Sequence, residues 1–174
     1  MKKVKSIISV ALIGSMLLGF AGCAKVKAYD KKEIKAILKD DLEIKKDDIR
    51  DGESKDYEYV ISEYGKAGIY CYIYEDEDDA ADDFEDLYDD YSDDFDDGVF
   101  EGSHKMKLSK TNGYIVFDGE GTDDDGECFY EDEYYYGGIF FADNMIIQVA
   151  TYKDKDSARE DVDAVLKEFG FPKP

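Results

Sequence analysis

The sequence predicts an α+β domain: an antiparallel sheet of about six to seven strands, with three helices packed mainly on one face. Three observations predict it. Short apolar or alternating runs at 57–64, 67–74, 105–108, 114–117, 127–136, 137–142 and 145–152 read as strands, several flanking turn signals at Gly65-Lys66, Asn112-Gly113 and Asp143-Asn144. Three further segments place apolar residues at helical spacing. A shift of 78 residues also aligns 57–91 with 135–169 without a gap, both copies reading strand, strand, helix.

Taken in chain order, residues 24–29 read as a short flexible tether. The first helix runs from Asp30, as N-cap, to about Leu42, with Ile34, Ile37, Leu38 and Leu42 on one stripe. Residues 45–56 are polar and read as a loop. In the second strand of the hairpin that follows, Ile69, Cys71 and Ile73 share one face and Tyr70, Tyr72 and Tyr74 the other. Two bulky faces call for cover on both sides. The second helix, about Asp76 to Phe95, resembles an acidic low-complexity run. Yet Ala80, Phe84, Leu87, Tyr88, Tyr91 and Phe95 fall on a single face. Its carboxylates repel one another at i,i+4, so packing must hold it. Residues 98–103 and 119–126 read as loops. The third helix spans about Asp154 to Phe169, stopped by Gly170 and barred from continuing by Pro172.

The repeat keeps detail. Tyr57 aligns with Tyr135, Ile61 with Ile139, Ile69 with Ile147 and Tyr74 with Tyr152, while the stripe 80, 84, 87, 88, 91 becomes 158, 162, 165, 166, 169. Duplication of a ββα unit explains this, and so does convergence on an amphipathic helix after a hairpin. Either way each unit exposes an apolar sheet face, so two units are expected to join edge to edge or share a core.

The N-terminus carries an address. Lys2, Lys3 and Lys5 precede an apolar run from Ile7 to Phe20, too short to span a bilayer comfortably. It ends in Phe20-Ala21-Gly22-Cys23, where small residues precede a thiol able to accept a diacylglycerol. This segment resembles the lipobox of bacterial lipoproteins, with Phe20 where Leu is usual. The resemblance covers the leader alone. It implies a signal peptide over 1–22, a lipidated tether over 23–29 and one domain over 30–174. It also implies a cell-membrane, extracytoplasmic location with lipid on Cys23. Twenty lysines against two arginines suit a Gram-positive source.

Without the leader, 19 basic side chains face 44 acidic ones, a net charge of −25. Such a surface repels phosphate backbones and anionic lipid, which excludes nucleic acid and leaves the acyl anchor as the membrane contact. With 15 Tyr and 10 Phe there is material for a core despite the acidity.

No catalytic motif stands out. The single histidine, His104, has no Gly-x-Ser-x-Gly elbow to serve and reads as a lone exposed side chain. Asp118, Glu120, Asp123, Asp124 and Asp125 form an oxygen-rich stretch without the spacing of a calcium loop. Loosely bound calcium is the one cofactor it suggests, set against a merely hydrated acidic face. Cys71 and Cys128 are either a disulfide, worth roughly 4 kcal/mol at this separation, or two reduced apolar side chains. Tyr70, Tyr72 and Tyr74 are candidates for an aromatic recognition surface, with Tyr130, Tyr134, Tyr135 and Tyr136 as further rings. The expectation is a monomeric, non-enzymatic module that binds an envelope protein, peptide or glycan. A weak divalent-cation binding protein, or a structural accessory subunit of a membrane complex, is the alternative, and a hydrolase the least supported.

Overall fold

The structure, a computed structural model, describes residues 26–122, 128–151 and 155–174, with side chains in the last segment from Ala158. Cys23, Asp123, Asp124 and Asp125 lie outside the described residues. Seven strands form one sheet: β1 (Arg50–Glu53), β2 (Tyr57–Tyr64), β3 (Ala67–Tyr74), β4 (Phe100–Ser109), β5 (Asn112–Gly121), β6 (Tyr134–Ala142) and β7 (Met145–Thr151). Their spatial order is β1-β2-β3-β7-β6-β5-β4, antiparallel throughout. The α+β class and the antiparallel sheet are as the sequence predicts.

Three helices flank it: α1 (Lys31–Ala36, continued by a π-helical turn Ile37–Asp41), α2 (Glu77–Asp97) and α3 (Lys155–Phe169). Asp30 caps α1 in a capping box, its Oδ1 accepting from Glu33 N at 2.7 Å while Glu33 Oε2 accepts from Asp30 N at 3.0 Å. Asp76 caps α2 by accepting from Asp78 N at 2.8 Å. Gly170, at φ 69°, ends α3 in a left-handed turn closed by Phe171 N donating to Leu166 O.

Helix placement refines the expectation. Alternation along each strand makes two cores, one per face. Ile69, Cys71, Val116, Phe140, Ile147 and Val149 pack with α1 and α3 on one face. Tyr74, Ile115, Phe117, Tyr135, Phe141 and Ile146 pack with α2 on the other. β6 lies between both layers and is buried at every position, as a doubly covered strand must be.

The repeat is kept in the strands and broken in the helices. β3 and β7 join edge to edge, and Tyr70 pairs directly with Gln148, its counterpart under the 78-residue shift. A local two-fold therefore passes through that pair. Both helix stripes point inward, Ala80 and Phe84 in one copy and Ala158 and Val162 in the other. The two helices nevertheless cover opposite faces, so the ββα units are not superimposable bodies.

Several boundaries differ from the sequence reading. β4 already starts at Phe100, inside the stretch 98–103 read as a loop, and the strand read over 127–136 starts only at Tyr134. Residues 50–53, read as loop, pair with β2 as an edge strand of four residues. The β4–β5 turn is Lys110-Thr111; Asn112 and Gly113 already belong to β5, which runs on through 119–121. Residues 137–142 continue one strand from Tyr134 rather than starting another. Gly137 permits this: at φ 149° its Cα lies where a Cβ would strike the Val149 carbonyl. The last concerns the tether, which is docked from Val26. Val26 is 1% exposed and exchanges two hydrogen bonds with the buried Asn112 side chain, N to Oδ1 at 3.1 Å and Nδ2 to O at 2.7 Å. Tyr29 donates its hydroxyl to Phe169 O at 2.6 Å and meets Phe169 edge-on at 5.5 Å.

Candidate functional site

α2 starts beside the end of β3 and crosses β7, β6 and β5 toward β4. Its buried stripe thus covers the middle and one side of the sheet and leaves the β1–β2–β3 side bare. There Tyr57, Tyr59 and Ile61 of β2 and Tyr70 and Tyr72 of β3 remain partly exposed on the α2 face. Where this bare area meets α2, a groove of about 390 Å³ opens, walled by Tyr57, Tyr72, Tyr74, Leu87 and Tyr91 with Asp83 and Asp86 at its mouth. Ile139, Ile146 and Gln148 form its floor. The volume lies in the range of small-molecule sites.

The strand register builds the aromatic walls. Tyr57 pairs with Tyr74 and Tyr59 with Tyr72, so rings from two strands meet on one face. Tyr57 stands edge-on to Tyr72, with centroids 5.2 Å apart and planes at 81°, and tilts against Tyr74 at 5.5 Å. The helical spacing of α2 sets Asp83, Asp86 and Leu87 along the same rim. Tyr74 donates to Asp83 Oδ2 at 2.7 Å. Burial, and then the Asp83 carboxylate, push the Tyr74 phenol far above its ordinary range. Burial followed by its neighbouring phenols raises Tyr72 as well. Both therefore remain neutral hydroxyls at physiological pH, able to donate and to present uncharged rings.

The sequence singled out Tyr70, Tyr72 and Tyr74 together, and the structure divides them. Tyr72 and Tyr74 line the groove. The Tyr70 ring leans back along its own strand, 2.9 Å from where a Cβ on Gly68 would sit. Tyr57, Asp83, Asp86 and Tyr91 complete the groove from segments that sequence reasoning kept apart. The later tyrosines do other work. Tyr134 donates to Asp118 Oδ1 at 2.6 Å, Tyr136 to Asp163 at 2.8 Å, and the Tyr135 hydroxyl accepts from Tyr130 N at 2.9 Å. Tyr130 itself is 58% exposed on the far loop.

The other described candidates, Asp118, Glu120, Cys71, Cys128 and His104, lie in separate surroundings, while Asp123, Asp124 and Asp125 fall outside the described residues. Asp118 and Glu120 lie on β5 rather than in a loop, and Asp118 is engaged by Arg159 Nη2 at 2.5 Å. Among the described residues no group of three or more metal-ligating side chains gathers. Cys71 is wholly buried in the α3-side core, where burial drives its thiol far up, while Cys128 packs against the α2-side cluster. The sheet stands between the two cysteines, and the structure does not join them. His104, on the edge strand β4, lies flat on Phe95 with ring centroids 3.9 Å apart. Comparison with known protein families, curated proteins and solved structures finds no match to this chain.

Proposed function

We propose that this chain is an extracytoplasmic lipoprotein, anchored through Cys23, whose domain binds a small polar ligand without transforming it. The observation that carries this reading is the tyrosine groove. It is a concave site on a sheet face left bare by α2, with rings for contact and carboxylates for orientation. Its lining joins four tyrosine rings to two carboxylates, and the hydroxyl–carboxylate pair in it, Tyr74 with Asp83, is a phenol that burial holds neutral.

The rival reading, docking through a sheet edge, finds less support. β1 is short and charged, and β4 carries Lys105 and Lys107, a pattern that discourages strand addition. A hydrolase would need His104 in a cleft with acids, and His104 is instead an exposed ring stacked on Phe95.

The test is an NMR screen of amines, amino acids, sugars and short peptides against the chain carrying Cys23→Ala. Ligands that bind are expected to shift amides around Tyr57, Tyr72 and Leu87, and Tyr72→Ala to abolish those shifts. Shifts confined to other surfaces, or turnover of a ligand, would overturn the reading. The anchor is tested separately: Cys23→Ala is expected to release the protein from the membrane fraction, and undiminished tight association refutes it.

A further inference from the structure

Resting on the binding reading above, we infer that the groove selects an organic cation, a small molecule bearing a substituted ammonium group. Three features of the lining point there. First, the side chains that form it hold two carboxylates, Asp83 and Asp86, and no basic residue to neutralise them. An anionic ligand would meet only like charge at the mouth, whereas a cation is attracted by both carboxylates. Second, the walls are phenol rings turned away from one another, Tyr57 edge-on to Tyr72 at 81° and tilted against Tyr74 at 56°. Rings meeting at such angles offer π-faces from more than one direction, which is the geometry that holds an ammonium group whose charge is spread over alkyl substituents. Third, the depression at the end of β2 and β3 shares Tyr57 and Tyr74 and adds Glu53, Glu58 and Glu75 against one lysine, Lys55. Lys31 neutralises Glu58 at 2.9 Å, so the depression adds a modest negative surplus beside the groove.

The division of labour follows from chemistry. A bare metal ion prefers oxygens converging on a point and gains nothing from aromatic walls. A sugar would stack on rings and donate hydroxyls to the carboxylates, but it gains no charge–charge attraction from them. A substituted ammonium uses both: its alkyl surface displaces water from Tyr57, Tyr72 and Leu87, and its charge faces Asp86. Asp83, already accepting from Tyr74, contributes field and holds the ring in place.

The test compares choline with 3,3-dimethylbutan-1-ol, its neutral isostere with carbon in place of nitrogen, each titrated by NMR at constant ionic strength against the chain carrying Cys23→Ala. Choline is expected to shift the amides around Tyr57, Tyr72 and Asp86 saturably, and the isostere to bind about tenfold or more weakly. Asp86→Asn is expected to weaken choline about tenfold while leaving the isostere unchanged; that substitution keeps shape, and Asp86 is exposed, so folding is not at stake. Equal binding of both probes overturns the cation inference and leaves the binding groove standing. Non-saturating shifts spread over the acidic surface, matched by sodium chloride, also overturn it. Failure of choline where other screened ligands occupy the groove refutes the cation alone; an empty groove with every ligand refutes both.

Discussion

Replacing Asn112 by alanine is expected to undock the first described residues of the chain while sparing the sheet. Four residues, 26–29, are held by a small set of contacts. Val26 buries its whole side chain, worth about 2 kcal/mol. Its N–H and C=O each bond the Asn112 amide, and Tyr29 adds its hydroxyl bond to Phe169 O, each worth about 1 kcal/mol net. Tyr29 also meets Phe169 and Phe171 edge-on, about 1 kcal/mol per pair. The gains reach roughly 7 kcal/mol, and ordering four residues costs roughly 6 at about 1.5 each. With the weaker Tyr29 N–Met145 Sδ bond and the exposed Lys27–Glu33 pair added, docking is favourable by about 1–2 kcal/mol. Asn112→Ala removes two bonds and leaves the Val26 amide and carbonyl buried without partners, a loss of about 2–4 kcal/mol. The segment escapes that cost by leaving the surface. Amide exchange at Val26 and Tyr29 should rise to the rate of an open chain, with β7 amides at Ile146 and Ile147 unchanged. Retention of wild-type protection at Val26 within about twofold would refute the reasoning, because the balance leaves no reserve of that size.

Three further outcomes are expected. Phe129 is fully buried and touches the rings of Tyr91, Phe95, Phe100, Phe117 and Tyr135, so Phe129→Ala should cost about 3–5 kcal/mol and lower the melting temperature by roughly 10 °C; a loss below about 1 kcal/mol shows it does not plug the α2-side core. Tyr134 and Tyr135 are pushed up to about 12 from an ordinary value of 10.0, mainly by burial, so their neutral forms favour the fold. That contribution is complete below pH 10 and lost as pH rises toward 12, and Tyr134→Phe together with Tyr135→Phe should flatten the alkaline unfolding curve seen by circular dichroism. In the chain carrying Cys23→Ala, Cys128 should react with a thiol reagent in the native state and Cys71 only after unfolding; native reaction at Cys71 would contradict its burial.

The parts of the fold legible in the sequence are those where one period dominates. The α2 stripe survives a background of carboxylates because Ala80, Phe84 and Tyr91 must all reach one surface, and they do. The β2–β3 hairpin is equally plain. β1 was hidden because Arg50-Asp51-Gly52-Glu53 has no alternation to show; it is held by pairing with β2, and Tyr59 lies over Gly52 to supply the side chain that strand lacks. Asn112-Gly113 looks like a turn by residue type, yet Asn112 serves as a buried clamp, a use that only tertiary contact reveals. Which face α2 would take was unreadable locally, since both faces of β3 are bulky enough to accept a helix. The groove follows the same logic. Tyr72 and Tyr74 were visible as a row, whereas Asp83 and Asp86 looked like any other acids of a hydrated face until α2 was laid beside β2 and β3.

The docking of Val26 has a consequence for reach. With lipid on Cys23, as proposed, three peptide units separate the acylated residue from a buried one, a span of about 10 Å at full extension. Such a protein has no stalk. The turns at Lys110-Thr111 and Asp143-Asn144, beside which Val26 sits, would rest near the headgroups. Asn144 also bonds the Tyr74 carbonyl, so one end of the groove belongs to that same pole. The domain would sample a layer barely deeper than itself, working where an anionic membrane and an anionic protein together concentrate cations. Lengthening the chain between Cys23 and Val26 would lift the groove out of that layer without altering a single residue in it.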